Sequence, residues 1–254
     1  MVEFDLVLLL AAALFAGFVD AVAGGGGLIQ VPALLMALPG EVPATVFGTN
    51  KLASICGTGN AAVRYARRIA LPWGIALPAA SAAFLSSFVG AMAVAWLPKE
   101  VVRPLVLGLL LLVLLYTVVK PDFGVVSGFR LVSGPERRRA LWVGAVLGFY
   151  DGFFGPGAGS FLIFAFVRFF RLDFLHASSV AKVVNFATNA AALAYFVPSG
   201  HVLWITGLSM AIFNIVGALL GAQLALRHGS GFVRRVFIVV ASVLIARLGY
   251  DTFA

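Results

Sequence analysis

Apolar residues run through the chain in long stretches broken by short polar gaps. The stretches fall at roughly 6–23, 28–38, 44–64, 72–97 and 102–119, and then at 140–154, 157–170, 175–197, 202–226 and 233–250. Several are long enough to cross a hydrocarbon core of about 30 Å as a helix, which takes about 20 residues. The stretch 28–38 is too short to span alone. The pattern predicts an all-α polytopic membrane protein. Its organisation reads as 1–119, a first transmembrane repeat, then 120–139, a polar basic linker, then 140–254, a second repeat, each of about five helical segments with glycine-broken helices.

The repeat rests on one constant offset. Asp20 and Asp151 lie 131 residues apart, and the same spacing pairs Gly17 with Gly148, Phe18 with Phe149, Gly24 with Gly155, Gly26 with Gly157, Lys51 with Lys182, Trp73 with Trp204, Gly90 with Gly221 and Arg103 with Arg234. Glycine matches alone could arise by chance in so glycine-rich a chain. Asp, Lys, Trp and Arg in one register do not readily do so.

Composition narrows the class. Hydrophobic residues make up 62% of the chain, charged residues 11%, and mean hydropathy is +1.06. Soluble domains carry about 25% charged residues, so a soluble fold is excluded, and disorder with it. Cys56 is the single cysteine, which excludes an intramolecular disulfide and a cysteine metal cage. The acidic start, Met1-Val2-Glu3-Phe4-Asp5, is unlike a signal peptide and points to a retained first helix.

The net charge of +8 comes mostly from arginines between apolar runs, which reads as cytoplasmic loop charge and not as a nucleic-acid surface. Arg64, Arg67 and Arg68 follow the third segment of the first half, whereas Arg168 and Arg171 precede the third segment of the second. The loops at the opposite ends, 39–43 and 198–201, hold no Lys or Arg. If basic loops are cytoplasmic, the two halves insert in opposite senses, as inverted repeats do. Lys99 and Arg103 then fall outside, against that rule, with Glu100 partly offsetting them.

Four ionisable residues lie inside apolar segments at matching repeat positions: Asp20, Asp151, Lys51 and Lys182. Charges at membrane depth are costly and mark function by default. They also sum to zero, so a purely structural role as buried pairs stays open. The lysines have polar company. Thr49, Asn50 and Ser54 flank the first, Ser178, Ser179 and Asn185 the second, and Asn60, Thr188 and Asn189 extend the strip. Such a strip reads as the wall of a polar cavity, although hydroxyls and amides also join helices. Each Asp precedes a break, Gly24-Gly25-Gly26-Gly27 or Gly155-Pro156-Gly157-Ala158-Gly159. A helix restarting after a break presents free N–H groups to an anion. The candidate substrate-binding set is therefore Lys51, Lys182, Asn50, Thr49, Gly25, Gly26, Gly157, Ser178, Asn185 and Asn189. Asp20 and Asp151 are proton-coupling or structural. His176, His201 and His228 have no metal spacing, and neither metal nor cofactor is expected.

Gly17-Phe18-Val19-Asp20 leading into Gly24–Gly27 and Pro32, then Gly48-Thr49-Asn50-Lys51, with a weaker echo from Gly148-Phe149-Tyr150-Asp151 and Ser179-Val180-Ala181-Lys182, resembles the sulfite exporter TauE/SafE family of bacterial membrane proteins. The resemblance runs from about Leu6 to Tyr250. It implies a multi-pass anion transporter of the bacterial inner membrane, moving sulfite, organosulfonates or related anions, mostly outward. The expected partners are a small anionic substrate and the lipid bilayer, with homo-oligomerisation open. The rival readings are a passive anion channel, a non-transporting membrane partner with structural Lys/Asp pairs, and a membrane enzyme, for which no nucleophile–base pair is found.

Overall fold

The structure is a computed structural model that describes residues 3–38, 40–96, 115 and 134–253. It is all-helical, with no strand among the described residues. The helices are α1 (Glu3–Ala23), α2 (Gly27–Ala37), α3 (Pro43–Ala66), α4 (Trp73–Met92, continued by a 3₁₀ turn Ala93–Trp96), α5 (Gly134–Phe153), α6 (Ala158–Phe170), α7 (Phe174–Phe196) and α8 (Trp204–Phe253). The segment 102–119, residue 115 apart, and most of the stretch 120–139 lie outside the described residues. Gly134-Pro135-Glu136 opens α5 earlier than hydropathy suggests. Pro suits the first turn of a helix, and an acid there complements the dipole, so Arg137, Arg138 and Arg139 become helical. The apolar runs 202–226 and 233–250 join as one helix that kinks at Gly229, whose φ of 69° and ψ of −167° are not helical.

Among the described residues, three helices are long and apolar enough to span a bilayer: α1 over 6–23, α4 over 73–92 and α8 over 204–240. The 24 residues of α3 and 23 of α7 would reach about 35 Å at 1.5 Å per residue. Their internal polar strips hold their hydropathy down. The shorter α2 and α6 follow the two glycine breaks. α2 turns back along α1, with Gly26 against Ala16 and Asp20, and Leu34 in one apolar cluster with Leu9.

Contacts fix the sense of the long helices. Ala13 meets Asn214 and Ala21 meets Gly221, so α1 and the first part of α8 are parallel. Ala79 meets Gly144 and Ser87 meets Gly152, so α4 and α5 are parallel too. Gly48 meets Phe196 whereas Gly59 meets Phe186, so α3 and α7 are antiparallel. Leu203 meets Thr49 and Gln223 meets Arg64, which sets α3 parallel to α8. The most extensive interfaces join α4 to α5 and α1 to α8. Their contacts correspond under the sequence offset. Gly17 abuts Asn214 as Gly148 abuts Ala83, and Gly221 abuts the Phe18 carbonyl as Gly90 abuts that of Phe149.

One end of the bundle collects Arg64, Arg67, Arg68, Arg137–Arg139, Arg168, Arg171, Arg227, Arg234 and Arg235. Glu41 and His201 lie at the other end. At the basic end Asp173 caps α7. Its Oδ1 accepts the His176 backbone N–H at 3.0 Å and the Ser230 hydroxyl at 2.7 Å, and His176 Nδ1 lies 2.6 Å from Oδ2. This ties the α6–α7 loop to the kink of α8. Burial raises the pKa of this carboxyl, but the bonds from His176 and Ser230 together outweigh burial and hold it below its ordinary value. A depressed carboxylate contributes stability above its unfolded pKa of about 3.9 and loses it as pH falls through the lower folded value. Asp173→Ala should therefore lower the melting temperature at neutral pH by the equivalent of about 1–2 kcal/mol, the worth of a helix cap. The difference from wild type should narrow as the pH drops below about 4. Thermal melts across pH check both statements.

Candidate functional site

The two glycine breaks bring the buried charges together. α1 ends at Ala23 because Gly24 adopts φ +77°, and α5 gives way at Gly155, φ +90°. The breaks touch each other. A Cβ on Gly24 would sit 2.3 Å from the Gly159 carbonyl carbon, so this crossing admits only glycine. The carbonyls freed at the end of α1 are capped by hydroxyls: Tyr65 donates to Ala21 at 2.9 Å, Ser178 to Val22 at 2.9 Å and Ser160 to Ala23 at 2.8 Å. Backbone released from a helix in a membrane needs such partners. In the second break, the Tyr150 hydroxyl donates to the Pro156 carbonyl at 2.8 Å.

Beside the breaks the charges pair across the halves. Lys51 Nζ donates to Asp151 Oδ1 at 2.7 Å, and Lys182 Nζ to Asp20 Oδ2 at 2.8 Å. Each Asp also takes a threonine hydroxyl from its own half. Thr58 donates to Asp20 Oδ2 at 3.3 Å and Thr188 to Asp151 Oδ2. The pairs are unequal in access. The Lys182 side chain is fully buried, while its partner Asp20 is 17% exposed.

Between the pairs lies a polar cavity of about 30 Å³, room for about two water molecules. Lys51, Asn50, Asn185 and Asn189 of the candidate binding set line it, together with Asp20 and Asp151. Ser54, Thr58, Gly24, Gly27, Gly155 and Gly159 complete the wall, so the first turns of α2 and α6 reach it at Gly27 and Gly159. Ser54 and Asn185, and likewise Thr58 and Asn189, lie 131 residues apart in sequence and face one space. Asn50 Oδ1 is buried with no hydrogen-bond partner.

Other expected residues stand elsewhere. Lys182 lies behind Asp20 and off the cavity wall. Ser178 spends its hydroxyl on Val22, and Thr49 Oγ1 accepts the Leu203 backbone N–H at 3.0 Å, so both serve helix ends. Gly25, Gly26 and Gly157 shape the breaks without lining the cavity. Asn60 is turned outward and exposed, its amide donating to the Cys56 carbonyl of its own helix at 2.9 Å. Thr58 takes the place on the wall. The signal for it was present in the sequence: it lies two helical turns after Lys51 on the same face, and 131 residues before Asn189.

A helical membrane bundle with broken helices and charges paired at its centre has the build of a transporter. The sequence profile of the sulfite exporter TauE/SafE family matches residues 9–248. Among similar proteins are the probable membrane transporter protein YfcA of Escherichia coli K12, 35% identical over 94% of this chain and 88% of its own, and the probable membrane transporter protein ORF9 of a Sinorhizobium species, 36% identical over 97% and 93%. A probable membrane transporter protein of Haemophilus influenzae is 34% identical over 97% of this chain and 95% of its own. No solved structure matches. The chain belongs to the TauE/SafE family. It is a multi-pass membrane transporter and not an enzyme, and its partners are a small-molecule substrate and the lipid bilayer.

The buried pairs make a definite claim on stability. Breaking one by removing one partner costs about 3–5 kcal/mol, because the other charge is left unpaired, while replacing both by apolar groups is often neutral. Lys51→Met should therefore lower the melting temperature sharply. Lys51→Met with Asp151→Leu should regain most of the loss, since Thr188 keeps a second acceptor in the Asn185 carbonyl at 2.9 Å. Thermal melts of the three proteins decide it; a double variant as unstable as the single one would mean that the pair does not set the stability.

Proposed function

We propose that this transporter exports a small oxyanion, sulfite or an organosulfonate, across the bacterial inner membrane, and that the anion is received by Lys51 in exchange for Asp151. The supporting observation is the pair of crossed Lys–Asp bridges around one polar cavity at two helix breaks. Ammonium, amide and hydroxyl donors converge there, and oxyanions accept from all three. The N-terminal turns of α2 and α6 add favourable dipoles.

In the state described both bridges are closed, and about 30 Å³ is too little for a four-heavy-atom oxyanion. Opening a bridge requires that its carboxylate lose its charge or its lysine gain another partner. A proton on Asp151 does the first, and the anion then supplies the second. An inside-negative potential favours outward movement of the anion by about 2.3 kcal/mol per charge per 100 mV. Two closed bridges favour a carrier over a passive channel.

The halves 1–119 and 140–254 are taken as repeats inserted in opposite senses. Antiparallel α3 and α7, matching glycine contacts and the gathering of arginines at one end support that reading.

Two experiments test these readings. In proteoliposomes loaded with sulfite or a sulfonate, Lys51→Ala should abolish flux. Asp20→Asn and Asp151→Asn should lose proton-driven transport yet keep substrate exchange. Wild-type proton coupling in both Asn variants would remove the carboxylates as proton carriers. For topology, single cysteines replace Arg67 or Ser199 in a Cys56→Ser background. An impermeant thiol reagent applied from outside should label the second and spare the first; equal labelling of both would overturn the opposed orientation.

A further inference from the structure

A second cavity lies on the outer side of the same two central helices. It is an open groove of about 480 Å³ between α3 and α7, walled by Ile55, Cys56, Asn60, Val63, Val183 and Phe186. Its lining is almost wholly apolar. Val63 is 50% exposed and Phe186 44% exposed, so the groove faces outward and not into the ion-pair site. The amide of Asn60 is turned back onto the Cys56 carbonyl, which leaves the wall apolar in effect.

The direction of the groove gives it a second property. Cys56, Asn60, Val63 and Arg67 recur at spacings of four, three and four, which places them in one column along α3. The column climbs from the apolar wall to an exposed arginine at the basic end of the bundle. Arg68 stands next to it, and Arg64 is one turn back, donating to Gln223 Oε1 at 3.4 Å. A slot that is apolar along its length and cationic at its mouth complements a molecule with an apolar tail and an anionic head.

We propose that this groove holds an anionic phospholipid of the leaflet on the arginine-rich side, with an acyl chain along α3 and α7 and the phosphate at Arg67. The inference depends on the membrane class of the protein and on the groove, and not on the substrate or direction of transport. A lipid seated there contacts both central helices beside the pairing of Phe186 with Gly59, where a Cβ on the glycine would stand 3.1 Å from the ring. It is therefore placed to act as a wedge between the two helices that carry the lysines.

The test is native mass spectrometry of the purified protein with phosphatidylglycerol or phosphatidylethanolamine added in detergent. Wild type should retain phosphatidylglycerol in preference. Arg67→Gln should cut that preference about fivefold, the factor that one interfacial arginine is worth. Val63→Trp fills the groove and should remove both adducts; it sits on the exposed surface, so the fold should survive, and a melting curve checks this. Equal retention of the two lipids by wild type would overturn the proposal. So would a phosphatidylglycerol adduct unchanged in Val63→Trp, which would place the lipid at another arginine cluster. A lipid-free dimer that Val63→Trp dissociates would show the groove to be covered by a second copy of the chain.

Discussion

A lysine ammonium at membrane depth is tolerable only if a carboxylate meets it and further donors and acceptors satisfy both. In this transporter that requirement is met between the halves and not within them. Lys51 of the first half is held by Asp151 of the second, and Lys182 of the second by Asp20 of the first. Neither half is neutralised at its centre without the other. The rest of the architecture follows from this crossing. α3 and α7 must pass each other closely to bring each lysine to the opposite side. α1 and α5 must end nearby to deliver their aspartates. Both must stop there, because a continuing helix would fill the space that the lysines need.

The glycine breaks serve this crossing twice. They let α1 and α5 end inside the bundle, and they allow the two ends to touch at Gly24 and Gly159 with no side chain between them. The released carbonyls would be costly in lipid, yet hydroxyls reach those at the end of α1. Buried charge, broken helix and hydroxyl cap are thus one linked solution. The cavity is what remains between the two bridges.

Much of this was legible in the sequence, and the residues show why the rest was not. The constant offset made Asp20 equivalent to Asp151 and Lys51 to Lys182. It could not say which lysine meets which aspartate, because pairing within halves and pairing across them obey the same symmetry. The polar strip is visible in the sequence, but it reads broader there than the cavity wall is. Thr58 and Asn60 are two residues apart, about 200° around a helix, so only one can face the cavity, and residue type alone does not choose. Proximity to a lysine suggests Thr49 and Ser178 as cavity wall. Proximity in sequence cannot reveal that a backbone group from a distant helix, at Leu203 or Val22, already claims the hydroxyl. Hydropathy placed α1, α4 and the first part of α8 well, and it missed the start of α5 because Arg137–Arg139 resemble a loop.

The same sequence offset also marks where the two parts of the chain differ. The three donors that cap the end of α1 are Tyr65, Ser178 and Ser160. The positions equivalent to them under the offset hold Phe196, Phe47 and Ile29, none of which carries a hydroxyl. The end of α5 therefore cannot be tied to its neighbours by the same bonds. Instead the Tyr150 hydroxyl bonds to Pro156 within the break itself. The charge chemistry of the halves is matched, Asp for Asp and Lys for Lys, while the anchoring of their backbones is not. Among the described side-chain bonds, the first break is fastened to α3, α6 and α7, and the second by its own tyrosine. The bridge on the second break, Lys51 to Asp151, is also the one of which both members line the cavity. The cavity therefore meets both charges of one bridge and only the carboxylate of the other.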